Sequence, residues 1–257
     1  MSTLAQRLKQ RYFGWYLHPY GMLLRRVEAL LGAEAVLVDA GCGRGAPSLR
    51  PFRGKARRLI GIDVVPFSEK VDGIELRQRD LADTGLADES VDLMYSQAVV
   101  EHVQEPDKVF AEIARVLVPG GAYIALTANK WDYASLLARL IPNRFHPWIV
   151  RHTEGRPEED VFPTAYKANT RRDVARHARR HGLEVAEFRY VGQYPSYFIF
   201  NGGLFFLATL YQKLIERAPP PPLPARLDFL RSEEARRRRR RTQQRPAGRV
   251  TNRLVDS

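Results

Sequence analysis

A short apolar run that ends in an acid and continues into a glycine-rich loop restricts the possible folds of this chain more than any other feature. The run is Ala35-Val-Leu-Val-Asp-Ala40, and the loop is Gly41-Cys-Gly-Arg-Gly45. Glycines after a strand let the backbone turn sharply and approach a ligand without a Cβ in the way. The sequence therefore predicts a buried strand whose carboxyl end forms one side of a ligand site.

Four further candidate strands follow and are separated by helical or loop segments: Arg58–Asp63, the alternating Ile74–Arg79, Ser90–Ser96 and Ala122–Thr127. Between the last two, a helix begins at Pro106, with apolar residues at i, i+4 and i+7 spacing. Strands that alternate with helices and have apolar centres are typical of a parallel sheet covered on both faces. We therefore predict a doubly wound, Rossmann-like α/β fold.

The later part of the chain continues this pattern. Thr170 caps a basic helix that Gly182 ends, and a strand follows over residues 183–191. The stretch Tyr197–Tyr211 carries no charge but is too short to span a membrane. It predicts either a last strand at Ser196–Phe200 with an apolar helix packed on the sheet, which we favour, or a helix at a lipid interface.

Acids stand at the carboxyl ends of three successive strands, at Asp39, Asp63 and Asp80. The glycine spacing alone also fits a dinucleotide-binding loop. A carboxylate at the loop, however, repels a pyrophosphate and attracts the ammonium and sulfonium groups of S-adenosylmethionine. Asp63 suits a ribose diol, and Asp80 suits an adenine amino group. Each acid alone is equally typical of a turn or helix cap, but the three together with the loop favour S-adenosylmethionine.

At these residues the chain resembles the class I S-adenosylmethionine-dependent methyltransferases, the broad group that includes the ubiquinone and menaquinone biosynthesis methyltransferases. The matching stretches, within about residues 35–127, are VLVDAGCGRG, LIGIDV, RDLAD, ESVDLMYSQAVVEHV and RVLVPGGAYIALT. The resemblance implies a seven-stranded methyltransferase sheet whose last strands follow residue 183. It implies cofactor contacts at Asp39, Gly41, Gly43, Asp63, Val64, Asp80, Leu81 and Ser96.

The resemblance also bears on metals. Some quinone O-methyltransferases of this group carry an acid three positions before a Glu-His pair and use a metal. Here Ala98 occupies that position, before Glu101 and His102. We therefore expect no catalytic metal. Residues 129–217 further resemble the substrate region of a subgroup of bacterial methyltransferases, which does not identify a substrate.

The candidate acceptor side lies after the fourth and fifth strands. His102 is a candidate general base for a hydroxyl nucleophile, but we favour the alternative that Glu101 and His102 hold the loop before the helix at Pro106. An insert at residues 128–170, after the fifth strand, is predicted to form a lid and substrate wall. Its candidate substrate residues are Trp131, His152 and Tyr166. We expect O- or C-methylation of a small-molecule or lipid-linked acceptor.

The positive charge is concentrated near the C-terminus. The net charge is +12, of which residues 226–257 carry +7, including six arginines at 236–241. A proline-rich segment precedes them, so we predict a methyltransferase domain over residues 1–217 and a proline-rich hinge with a disordered tail over 218–257. The tail is either a solvated appendage or a contact for an anionic membrane or RNA.

Two features bear on the compartment. The single cysteine excludes an internal disulfide, and the N-terminus shows no apolar signal segment, so we expect a cytosolic protein that is either free or peripheral to the membrane.

Three other functions remain open. The first is an RNA methyltransferase, which is suggested by the tail and by arginines 171, 172, 176, 179 and 180. The second is a non-catalytic adaptor. The third is a nicotinamide oxidoreductase, which the acid at position 39 disfavours.

Overall fold

The described part of the chain is a layered arrangement of strands and helices. This computed structural model describes residues 4–13, 18–127, 162–190, 198, 200–217 and 226–232. The strands are β1 (Val36–Ala40), β2 (Arg58–Asp63), β3 (Glu75–Gln78), β4 (Val91–Gln97), β5 (Leu117–Thr127), β6 (Leu183–Tyr190) and β7 (Arg226–Ser232). The helices are α1 (Leu4–Phe13), α2 (Pro19–Leu30), α3 (Pro106–Val116), α4 (Arg171–Arg180) and α5 (Gly202–Arg217), with short 3₁₀ turns at Arg50–Phe52 and Val100–His102.

The strands form one sheet in the order β3-β2-β1-β4-β5-β7-β6. Strands β1 to β5 pair in parallel, and all five residues of β1 are buried. This confirms the predicted α/β fold with a parallel sheet. The strand order reverses at β1, which lies between β2 and β4. Open α/β sheets bind ligands at the carboxyl ends of the strands on either side of such a point.

Apolar side chains form a separate core on each face of this sheet. Leu37 packs in a cluster with Leu23 and Val27 of α2, whereas its neighbour Val38 packs in a cluster with residues of α3 and α4. Successive side chains of a strand point to opposite faces, so two adjacent apolar residues serve two cores. Helices therefore cover both faces, as the continuous apolar runs predict.

The ends of α4 also agree with the sequence. The side chain of Thr170 accepts a hydrogen bond from the backbone N–H of Asp173 and so caps the first turn. Gly182, beyond the last turn, has a φ of +71°, a conformation that glycine adopts without strain. Both predicted helix signals are confirmed.

The strand β7 corrects the predicted boundary near Arg217. The sequence predicts residues 226–232 as part of a disordered tail, but their backbone pairs antiparallel with β5 on one side and with β6 on the other. The arginine and proline content of this region suggested disorder, whereas the alternation of Leu227, Asp228 and Phe229 is compatible with a strand. The open edges of β5 and β6 supply the hydrogen-bond partners. Residues 218–225 and the arginines at 236–241 lie outside the described residues.

From Gly202 onward the uncharged stretch forms helix α5. Phe198 and Phe200 lie in turns, so at these two residues the prediction of a last strand at Ser196–Phe200 is wrong. Ser196, Tyr197 and Ile199 lie outside the described residues. The predicted burial of the following helix is also wrong for most of its apolar residues. Phe205 packs with Ala5 of α1 in a small third cluster, but Leu207 and Leu214 are exposed. No helix among the described residues has both the length and the apolar character needed to cross a membrane.

Candidate functional site

The glycine loop after β1 lies against the loop that follows β4. Gly41 has a φ of +87°, and a Cβ at this position would lie 2.1 Å from Cγ2 of Val99. Gly43 has a φ of +69°, but apart from its two chain neighbours no atom of the described residues lies within 4 Å of the place where its Cβ would be. The two glycines therefore differ in role. Gly41 allows the β4 loop to approach, while Gly43 leaves open space above the backbone for a ligand.

Asp63, the last residue of β2, is fixed against this loop by two backbone hydrogen bonds. Its Oδ2 accepts the N–H of Gly43 at 2.7 Å, and its Oδ1 accepts the N–H of Val65 at 3.1 Å. Each carboxylate oxygen has a further lone pair, so the group can still accept hydrogen bonds from a diol. The side chain of Val64 is 47% exposed beside it. The structure thus brings together Gly43, Asp63 and Val64 of the predicted cofactor residues.

Asp39 lies beneath the loop and is almost completely buried. Its Oδ2 accepts a hydrogen bond from the hydroxyl of Ser48, while its Oδ1 has no hydrogen-bond partner among the described residues. Burial raises the pKa of this carboxyl to about 7, opposed in part by the hydroxyls of Ser48 and Tyr95. A nearby cation would favour the ionised form. Asp39 is therefore a buried acid that a positively charged ligand can stabilise.

The third acid lies just beyond the carboxyl end of β3. Asp80 is exposed, and its Oδ1 accepts the backbone N–H of Ala82 at 2.7 Å, which fixes a turn after β3. The following Leu81 is 9% exposed and packs in the core. Asp80 thus has the turn-forming role that a single acid often has, and its carboxyl group is exposed.

Ser96 differs from the other candidates because its side chain is turned into the core. It is fully buried near the end of β4, and its Oγ lies 2.6 Å from the hydroxyl of Tyr123 on β5. The hydroxyl therefore holds two neighbouring strands together. The predicted cofactor contact of Ser96 remains a prediction, and this hydrogen bond gives the side chain a structural role of its own.

Glu101 connects three parts of the structure near the carboxyl ends of β4 and β5. Its buried carboxylate accepts a hydrogen bond from the Thr127 hydroxyl at 2.6 Å, and that hydroxyl accepts one from the Asn169 amide at 3.0 Å. Its backbone oxygen accepts the N–H groups of Ala165 and Tyr166 at 2.7 and 3.0 Å. Glu101 therefore anchors the segment after residue 161 to the end of the sheet.

His102 is directed toward the same segment. Its Nδ1 lies 3.2 Å from the carbonyl oxygen of Pro163, and its ring is 6.1 Å from the ring of Phe162 in an edge-on arrangement. A carbonyl oxygen only accepts hydrogen bonds, so Nδ1 carries the proton in the neutral imidazole. The lone pair of the neutral ring is then on Nε2. His102 is held in a tautomer that can accept a proton at Nε2.

The predicted substrate residues fall mostly outside the described chain. Trp131 and His152 lie in the range 128–161, which the structure does not describe. Tyr166 is described, with a φ of +49° and its backbone N–H bound to Glu101. Within the described ranges, His, Cys, Asp and Glu side chains nowhere gather in groups of three that could hold a metal.

Sequence reasoning missed several residues that shape the site. Ser48 and Tyr95 surround Asp39, Val99 covers Gly41, and Thr127 with Asn169 completes the contacts of Glu101. Tyr95 and Thr127 lie at strand ends, where side chains next to a ligand site are expected. Ser48 and Asn169 carry no such signal, because they lie in loops whose path depends on the fold.

Residues 38–125 match a family model described as a methyltransferase domain. A probable S-adenosylmethionine-dependent methyltransferase of Mycolicibacterium smegmatis is 32% identical over 103 residues, which cover 38% of this chain and 40% of that protein. A ubiquinone biosynthesis O-methyltransferase of Rhizobium johnstonii is 28% identical over 137 residues, covering 48% and 55%. The chain thus spans about half the length of these relatives or less.

A similarity to solved structures extends over more of the chain. In a complex of the Haloferax volcanii Trm112 methyltransferase activator with a methyltransferase, one chain aligns with a TM-score of 0.58 and 19% identity. The alignment covers 89% of this chain and 93% of the other. At this low identity the similarity shows a shared fold.

Proposed function

Since residues 38–125 match a family model described as a methyltransferase domain, we propose that this protein transfers a methyl group from S-adenosylmethionine to a small-molecule or lipid-linked acceptor. In this transfer an oxygen or carbon atom of the acceptor attacks the methyl carbon and displaces the sulfur in line. The similarity to an enzyme named as a ubiquinone biosynthesis O-methyltransferase supports oxygen as the acceptor atom.

The carboxylate of Asp63, held against Gly43 at 2.7 Å, is the observation that carries this proposal. It places two free lone pairs beside a backbone turn that is open to a ligand, which suits the ribose diol of S-adenosylmethionine. Among the described residues Oδ1 of Asp39 has no hydrogen-bond partner, which suits a cationic ligand, and the exposed Asp80 after β3 suits the adenine amino group. When bound, the cofactor supplies a methyl group activated by its positively charged sulfur.

The residues of this chain would then align the acceptor and exclude water from it. His102 Nε2 accepts the proton of a hydroxyl nucleophile, while its Nδ1–H remains bound to the Pro163 carbonyl. We further propose that the sheet is the seven-stranded methyltransferase sheet and that residues 1–217 together with β7 form the methyltransferase domain. The insert 128–170, with Trp131, His152 and Tyr166, would then form the substrate wall.

The contacts of α4 weaken the RNA methyltransferase alternative. Arg176 pairs with Asp173 at 3.1 Å, Arg180 pairs with Asp107 at 2.9 Å, and the guanidinium of Arg171 lies 5.8 Å from the centre of the Phe188 ring. Three of the five arginines thus have partners within the protein. A phosphate backbone would compete with these contacts.

The proposal is tested by incubating the protein and methyl-labelled S-adenosylmethionine with lipid and metabolite extracts, followed by mass spectrometry. We expect a labelled product with the wild type that is lost in Asp63→Ala. Asp72→Ala, in an exposed turn before β3, is the matched control and retains the product. The absence of a labelled product from both lipid and metabolite fractions with the wild type contradicts the proposal.

A further inference from the structure

The exposed apolar side chains of this protein are concentrated on one surface. Among the described residues, eight of the ten large apolar side chains that are exposed belong to Leu4, Phe200 and α5. We call this surface the α1–α5 apolar face. Scattered single apolar residues are normal on a protein surface, but a contiguous apolar patch is typical of an interaction site.

The periodicity of α5 makes this surface continuous. Leu207, Leu210 and Leu214 recur at i, i+3 and i+7, so they share one side of the helix. Phe205 and Ala208 are buried on the opposite side, toward α1. Leu207 and Leu214 are each 61% exposed, which is unusual for two leucines on a helix that buries its other side so well.

Leu4 connects α1 to this surface. A Cβ on Gly202 would lie 2.8 Å from Cβ of Leu4, so the first residue of α5 packs directly against α1. Leu4 itself remains 51% exposed at this junction. The apolar surface therefore extends from α5 onto α1.

The charges beside the apolar face indicate what it binds. Helix α1 carries Arg7, Lys9 and Arg11 and has no acidic residue, and the charges of α5, which are Lys213, Glu216 and Arg217, all lie within its last five residues. An apolar surface next to a basic helix is typical of a region that lies on an anionic lipid surface. Binding of two copies through this face would instead bring two basic α1 helices together, which like-charge repulsion opposes.

We propose that the α1–α5 apolar face docks on the surface of an anionic lipid membrane. The leucines of α5 enter the boundary between headgroups and acyl chains, and the basic residues of α1 contact the lipid phosphates. This docking does not depend on the reaction proposed above. It is also separate from the arginines at 236–241, which lie outside the described residues.

The test is flotation of the full chain with vesicles that contain about 30% phosphatidylglycerol in phosphatidylcholine. We expect the wild type to float with these vesicles and not with pure phosphatidylcholine. The double variant Leu207→Glu with Leu214→Glu changes two exposed residues and is expected to reduce binding at least about tenfold. Retention of its circular dichroism spectrum shows that it folds.

A second pair of variants tests the basic residues. Arg7→Glu with Arg11→Glu is expected to reduce binding about tenfold or more and to flatten its salt dependence. Arg53→Glu with Arg57→Glu makes the same charge change at exposed positions in the turn before β2 and retains binding. If the leucine double variant binds as the wild type does, the apolar face is not needed for binding and the proposal is wrong. Absence of wild-type binding, or a dimer in sedimentation that the leucine variant abolishes, also overturns it.

Discussion

The carboxylate of Asp63 accepts the backbone N–H of Gly43 at 2.7 Å and so joins the end of β2 to the glycine loop after β1. The second oxygen of the same group accepts the N–H of Val65. A single side chain therefore determines the shape of the loop and offers lone pairs to a ligand above it. This double role makes Asp63 the most informative residue for testing the site.

Asp63→Ala is expected to weaken S-adenosylmethionine binding about 100-fold or more, because it removes the carboxylate proposed to bind the ribose diol and releases the loop. Isothermal titration calorimetry measures this affinity. Asp72→Ala, which removes an exposed carboxylate from a turn, should bind as the wild type does. Equal affinities for wild type and Asp63→Ala would contradict the assignment of the cofactor site.

Asp39 predicts a pH dependence of folding stability. Its pKa is raised from 3.8 to about 7 in the folded protein, so the folded state binds the proton more tightly than the unfolded state does. The free energy of unfolding is therefore expected to fall as the pH rises from about 4 to 7, by up to about 4 kcal/mol. Denaturant unfolding of wild type and Asp39→Asn at several pH values measures the difference.

The asparagine in Asp39→Asn cannot ionise, so the unfolding free energy of this variant should lack the pH dependence that Asp39 contributes. The difference in unfolding free energy between wild type and variant therefore separates the contribution of Asp39 from that of all other titrating groups. A constant difference between wild type and variant across this pH range would show that Asp39 does not titrate in this way.

His102→Asn separates the catalytic role of the imidazole from its structural role. The asparagine amide can still donate to the Pro163 carbonyl, as Nδ1 does at 3.2 Å, but it has no counterpart of Nε2. If His102 is a general base, kcat is expected to fall about 100-fold or more with little change in the affinity for S-adenosylmethionine. Steady-state kinetics and the thermal midpoint measure the two roles. Full activity of this variant would leave His102 with a structural role alone.

Glu101 is expected to contribute to stability through the groups that it satisfies. Glu101→Ala leaves the Thr127 hydroxyl without its acceptor in a buried site, which costs about 1–3 kcal/mol of unfolding free energy. Glu101→Gln keeps an acceptor oxygen and should cost less. Denaturant unfolding distinguishes them, with the exposed Glu105→Ala as a control that changes stability by less than about 0.5 kcal/mol. Equal stability of Glu101→Ala and wild type would contradict this role.

Two glycine substitutions should affect the protein in different ways. Gly41→Ala places a Cβ against Val99, so it is expected to destabilise the fold by more than about 2 kcal/mol, and Val99→Ala should relieve part of this loss. Gly43→Ala meets open space and costs only the strain of its positive φ, about 1–2 kcal/mol. Its larger effect should be on cofactor affinity, measured by calorimetry. Equal loss of stability in both variants would contradict the difference in packing.

Much of the site could be predicted because its parts are local in sequence. The strand β1, the loop from Gly41 to Gly45 and the acid that ends β2 are each recognisable within ten residues. The hydrogen-bond environment of those acids was not predictable. Ser48, which binds Asp39, belongs to a loop, and Tyr123, which binds Ser96, belongs to a strand 27 residues further along the chain. No local pattern records which of these side chains meet.

The amino-acid sequence by itself determined the alternation of strands and helices, the glycine loop and the acids at the strand ends, because backbone geometry imposes these periodicities on short segments. Only the tertiary structure placed residues 226–232 between β5 and β6 and left one side of α5 exposed. The pairing of β7 joins residues about 100 positions apart. Whether an apolar segment is buried or exposed depends on which surfaces reach it, and that is decided when the whole chain folds.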